Sequence, residues 1–191
     1  MTQASGLAYS NDACSAFTAA IVDSFQRSIG ERHYLGRTAV QKLVYFAKAL
    51  GVPIPCSFEI YTYGPYSDTV TFAVDSMLAD DVLKDVSGGS SVYSNYRLGN
   101  NASEILASYS SLLDPYRSAI DAVVNSLGKF KPSELELVAT LHFIHNRLKQ
   151  ILRLDPSKDQ VLSEFRRVKK DKFTETEIDT FYNALKDANL I

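Results

Sequence analysis

The sequence predicts a mainly α fold with a winged-helix-like N-terminal half, a small β-hairpin and a C-terminal helical bundle. Three observations carry this. Phe17, Ile21, Phe25 and Ile29 recur at four-residue spacing, widened by Val22, which makes 11–29 an amphipathic helix. The elements then run helix, helix, extended link, helix, hairpin up to Gly99. Beyond Gly99-Asn100-Asn101 every apolar pattern has helical period.

Gly30 is a plausible stop for the first helix, and Thr38 a possible N-cap for the second. Val40, Leu43, Val44, Phe46, Ala47 and Leu50 give the second helix its apolar face, ended by Gly51 and Pro53. Ser57 to Tyr63 reads as extended and Gly64-Pro65 as its break. Ser67 caps a helix with Val70, Val74, Met77 and Leu78 inward. VLKDV and VYSNYRL around SGGSS read as a hairpin.

The later segments follow the same rules. Ser103 to Leu113 reads as one helix, and Asp114 with Pro115 opens another that ends at Gly128. Ser133 with Glu136 has capping-box spacing, as has Thr174 with Glu177. Ser157 starts a helix with Val161, Leu162, Phe165 and Val168 inward. The predicted organisation is a flexible 1–10, then one α-rich domain over 11–191, with halves at 11–99 and 100–191.

Composition narrows the function. The chain has 191 residues, 46% hydrophobic and 22% charged, with net charge −2. That length allows about 70% of the unfolded surface to be buried. Two cysteines are too few for a disulfide scaffold or a cysteine-based zinc site. No apolar run reaches the ~20 residues of a membrane span, and the first residues lack a signal-peptide pattern. The expected location is cytoplasmic, with no membrane partner. No Gly-rich phosphate loop and no G-x-S-x-G or H-E-x-x-H motif occurs. No catalytic residue, cofactor or metal is assigned. His142 and His145 stand one helical turn apart but lack a third ligand at a persuasive spacing.

Three stretches carry a resemblance: Gln41-Lys42-Leu43-Val44-Tyr45-Phe46, Tyr63-Gly64-Pro65-Tyr66-Ser67 and Glu134-Leu135-Glu136-Leu137-Val138-Ala139-Thr140. The first two resemble the Panacea (SocA-like) phage-associated antitoxin domains. All three, in this order, are similar to the uncharacterised bacterial YwgA-type proteins. The Panacea resemblance implies neutralisation of a toxin by protein contact, or an adaptor role in proteolysis. The YwgA-type resemblance implies no established activity.

Two surfaces compete for the function. Gly64 and Pro65 would hold Tyr61, Tyr63 and Tyr66 stiffly at one corner, with Asp68 and Lys42 nearby. Tyrosines give large contact area at low entropy cost, which suits a protein partner such as a toxin or protease component. The same corner also reads as purely structural, and the two readings are compatible. The alternative is a nucleic-acid-binding regulator using Arg166, Arg167, Lys169, Lys170 and Lys172. A DNA-reading role for the helix after Pro65 is disfavoured, because Pro65 to Asp81 carries no Lys, Arg or His and four aspartates. A phage-conflict nuclease is the third reading.

Overall fold

The computed structural model describes residues 6–30, 32–89 and 93–191. It is mainly helical, as the sequence predicts, and among the described residues it has two short hairpins where the sequence predicts one. The chain forms two compact units. Unit 1 comprises 1–58 and 66–130, and unit 2 comprises 59–65 and 131–191.

Unit 1 is built around α1 (Ala13–Ser28), which Asp12 caps by accepting from the Ser15 N–H. α1 is buried on nearly every side and packs chiefly against four other helices. These are α2 (Arg37–Ala49), α3 (Asp68–Ala79), α4 (Ala102–Ser108) and α6 (Arg117–Leu127). Phe17 is fully buried and meets the Tyr116 ring edge-on at 6.1 Å. Strands β3 (Leu83–Asp85) and β4 (Tyr96–Leu98) pair antiparallel with Lys84 opposite Arg97. Their order after α3 matches the predicted wing. Part of the predicted turn, 90–92, lies outside the described residues.

Several local expectations change. The second helix starts from Gly36 rather than Thr38. A Cβ at Gly36 would press on the Ser94 carbonyl at 3.0 Å, so close approach to the hairpin selects the cap residue. Leu50 ends its helix 46% exposed. The helix expected over 103–113 breaks at Tyr109 into α4 and α5 (Ser110–Leu113). Asp114-Pro115 opens a 3-10 turn (Asp114–Tyr116) before α6, rather than α6 itself. Because α4 and α6 pack on α1, the compact units part after Phe130, not at 99/100.

The N-terminal segment also departs from expectation over 6–10. Asp80 accepts from the Tyr9 and Ser10 N–H groups at 2.8 and 2.7 Å and from the Ser10 hydroxyl at 2.8 Å. Burial pushes the Asp80 carboxyl up, but these donors outweigh it and hold the carboxyl below its ordinary range. Leu7 and Ser10 are buried as a result. The flexibility expected of 1–5 lies outside the described residues.

Unit 2 contains β1 (Glu59–Tyr61), most of β2 (Gly64–Tyr66) and three helices. α7 (Pro132–Leu152) packs against α8 (Lys158–Lys169) and α9 (Glu175–Asp187). The expected box opens α9, with Thr174 facing Glu177, and a further box opens α8, with Ser157 facing Gln160. At α7 the box is displaced: Glu134, not Glu136, accepts from the Lys131 N–H at 2.6 Å. Glu136 is thereby free for a different task.

Candidate functional site

Each motif stretch has a structural task within its own unit. In unit 1 the Gln41 side chain reads the backbone of Ser67 in both directions. Its Nε2 donates to the Ser67 carbonyl at 2.9 Å, and its Oε1 accepts from the Ser67 N–H at 3.0 Å. The Thr71 hydroxyl accepts from the same amide at 3.0 Å and donates to the Tyr66 hydroxyl at 2.8 Å. One glutamine thus fixes the start of α3, and the Ser67 hydroxyl caps it.

In unit 2 the third stretch supplies Glu136. Its carboxylate is almost wholly buried and accepts from two ammonium groups. Lys169 Nζ lies 2.8 Å from Oε1, and Lys172 Nζ lies 2.8 Å from both oxygens. Lys169 also donates to the Thr62 carbonyl at 2.8 Å, in the turn of the β1–β2 hairpin. Lys172 stands 4.9 Å over the Tyr63 ring and 5.7 Å over the Phe173 ring. Glu136 therefore pins the tyrosine turn to the end of α8.

The electrostatics follow from burial. The Lys169 and Glu136 side chains are 2% and 4% exposed. Burial pulls the Lys169 ammonium below its ordinary range, opposed by the bond to Glu136. Such a pair is costly to break, because the survivor becomes an unpaired buried charge. The 42%-exposed Lys172 leaves the trio with one net positive charge at the surface. Lys170, between them, has φ 50 and ψ −133, a conformation that L side chains rarely adopt. That turn lets Lys169 and Lys172 approach one carboxylate.

The predicted residues separate into roles. Tyr61 and Tyr63 are 66% and 59% exposed. Gly64 has φ 86, and Pro65 is buried. The expected break at Gly64-Pro65 is itself strand β2, and the turn lies at Thr62-Tyr63. Tyr66 is half-buried and bonded to Thr71. Asp68 is exposed in the first turn of α3. Lys42, expected at the contact surface, is buried in unit 1 at 2% exposure, on the inner side of a helix whose Ala39 to Ala47 run is all buried.

The basic cluster is largely neutralised. Arg166 forks onto Glu175, with contacts of 2.9 and 2.5 Å. Arg167 forks onto Glu164 at 2.8 and 2.6 Å. Lys169 and Lys172 share Glu136, so among the described residues Lys170 alone of the five has no carboxylate partner. Glu136 escaped sequence reasoning because its capping spacing offered a sufficient local role.

His142 and His145 are both buried on α7. Burial, then the charge of His145, brings His142 down to about 4. Among the described residues no group of three His, Cys, Asp or Glu side chains could hold a metal ion. Cys14 and Cys56 are buried in unit 1. The hydrogen bond shared with Cys56, and then burial, push the Cys14 thiol up. No helix among the described residues is long and apolar enough to cross a membrane.

Fold and site together define a mainly α protein of two compact units, with an exposed tyrosine turn anchored on a buried glutamate. No protein-family model matches the chain. It is similar to the uncharacterized protein YwgA of Bacillus subtilis (strain 168), at 27% identity over 147 residues. The match covers 76% of this chain and 81% of the relative. This supports the YwgA-type resemblance of the three motif stretches, each of which now has a structural task.

Proposed function

We propose that the protein is a non-enzymatic protein-binding module whose contact surface centres on Tyr61 and Tyr63. The observation that carries the reading is the pairing of two exposed tyrosines with a buried ionic support. Glu136, Lys169 and Lys172 hold the turn from beneath, so a partner would meet aromatic area whose ordering is already complete. The neutralised arginines favour this over nucleic-acid binding, since phosphates would compete with Glu164 and Glu175 for them. The specific form is an antitoxin or a proteolysis adaptor, and this rests on the Panacea resemblance.

The test uses the tagged full chain expressed in its native host and purified with nuclease at moderate salt. One stoichiometric protein should co-purify. The Tyr61→Ala/Tyr63→Ala variant should lose it, with affinity down at least tenfold, the scale of an interface hot spot. Tyr66 is spared because its hydroxyl belongs to the Thr71 network. Toxicity of the partner expressed alone, relieved by co-expression, would support the antitoxin form. Retention that depends on nucleic acid, or that ignores both tyrosines, would overturn the proposal.

A further inference from the structure

Unit 1 brings together two cysteines that the tyrosine site does not use. Cys14 lies in the first turn of α1, and Cys56 in the extended link that follows α2. Both are free thiols, 2% and 7% exposed. The link alternates: Val52, Ile54 and Cys56 are buried, while Pro53, Pro55 and Ser57 are exposed. The Ile54 N–H donates to the Val52 carbonyl at 2.8 Å, and the Cys56 N–H to the Ile54 carbonyl at 2.9 Å. Each bond closes a γ-turn around a proline, whose ring fixes φ. Lys48 Nζ adds a bond to the Ile54 carbonyl at 2.7 Å. Cys56 is thus presented from a stiff segment of backbone.

The second thiol is in hydrogen-bonding contact with the first. The Cys14 S–H donates to the Cys56 sulfur, and Cys14 Sγ lies 4.0 Å from the Thr69 carbonyl. The Cys14 bond, helped by the Lys48 charge and the Ser67 hydroxyl, outweighs burial and brings the Cys56 thiol below its ordinary value. Cys56 is therefore the nucleophile of the pair, and it is also the more accessible sulfur. Independently, Thr18 stands one turn along α1 from Cys14, on the same side of the helix. Its buried hydroxyl has no hydrogen-bond partner among the described residues, and it eases ionisation of Cys14. Unengaged buried donors are rare in native folds. This one is placed to take up the charge that Cys14 acquires when its proton leaves.

We propose that Cys14 and Cys56 form a peroxide-reactive dithiol that closes to an intramolecular disulfide. The co-reactant is hydrogen peroxide. The Cys56 thiolate attacks one peroxide oxygen, so that an S–O bond forms and the O–O bond breaks. The leaving hydroxide takes a proton from solvent, and Cys56 becomes a sulfenic acid. Cys14 then attacks the Cys56 sulfur, so that the S–S bond forms and the S–O bond breaks. The Cys14 proton goes to the departing hydroxide. In all, the two thiols lose two electrons and the peroxide is reduced to two waters. A thiol reductant restores the pair. The site lies wholly within unit 1 and does not depend on the tyrosine turn.

The experiment uses the full chain, reduced, freed of reductant under argon and then given hydrogen peroxide in slight excess. Mass spectrometry after denaturation should find no thiol left to alkylate and a monomer lighter by two hydrogens. An unreduced digest should hold one peptide pair joining Cys14 to Cys56, which dithiothreitol separates. These readouts need no variant. Cys56→Ser should consume peroxide about tenfold or more slowly than Cys14→Ser. Cys14→Ser should instead accumulate the Cys56 sulfenic acid, trapped by dimedone. Both thiols still open to alkylation after peroxide, a disulfide joining two chains, or sulfinic acid on Cys56 of the native chain would each overturn the assignment. So would peroxide consumption that Cys56→Ser leaves unchanged.

Discussion

Unit 1 and unit 2 differ in how much buried charge supports their apolar cores. In unit 1 a central helix is buried on almost all sides, from Cys14 to Val22 without interruption. Its polar bonds mostly tie down segments of chain: Asp80 holds 9–10, and Gln41 holds Ser67. In unit 2 the buried stripes of α8 and α9 are narrow: Val161, Leu162 and Phe165, then Ile178, Tyr182 and Leu185. There a buried carboxylate with two lysines adds to the apolar face of α7, where Leu135, Leu137, Val138, Leu141 and Ile144 are buried. A dispersion-packed core loses stability in proportion to volume removed. An ion-anchored one is sensitive to which partner is removed, and to pH.

The comparison can be broken from either side. The largest effect should come from Phe17→Ala, which empties a fully buried site in α1 and should cost about 3–5 kcal/mol in urea unfolding. Glu136→Ala should cost up to about 3–5 kcal/mol, because it strands the buried Lys169 ammonium. The distinguishing arm is Glu136→Leu/Lys169→Met, which removes both buried charges. It should recover most of the loss in stability while leaving the Tyr63 turn more open to hydrogen exchange. A double variant no more stable than Glu136→Ala would show that packing, rather than charge, governs the site.

Acid should separate the two units next. The His142 pKa lies at about 4 in the fold against an ordinary 6.5. Between those values the unfolded chain binds more protons than the folded one, so stability falls as pH falls. The full shift corresponds to about 3 kcal/mol. Hydrogen exchange in α7 should therefore rise between pH 6.5 and 4, while α1 stays protected. His142→Phe should flatten that dependence. Equal loss of protection in α1 and α7 would contradict the division.

The smallest effect concerns backbone strain. Lys170→Gly should stabilise by about 1 kcal/mol, since glycine accepts the positive φ and ψ −133 without a Cβ clash. An unchanged or lower melting temperature would mean that the Lys170 side chain contributes more than its strain costs.

Much of this fold was legible in short-range pattern. The caps at Ser67, Ser157 and Thr174 need only residues three positions away, and the structure keeps all three. The α1 stripe, the order of elements through the wing and the exposure of Tyr61 and Tyr63 came from periodicity and turn chemistry. Helix starts were missed where a long-range contact chose the residue, as at Gly36 against Ser94.

What the sequence determined by itself was the class: mainly helical, one small wing, a stiff tyrosine turn and no recognisable catalytic motif. Tertiary structure alone decided which charges are available. Lys42 sits on a helix face that could not be told from an exposed one by spacing alone. Lys169 and Glu136 are 33 positions apart, and Lys169 and Thr62 are 107 apart. No local periodicity encodes such separations. A basic cluster therefore looked free in the sequence and is mostly neutralised in the fold. Coulomb energy depends on distance and dielectric, and both are set only when the chain has closed on itself.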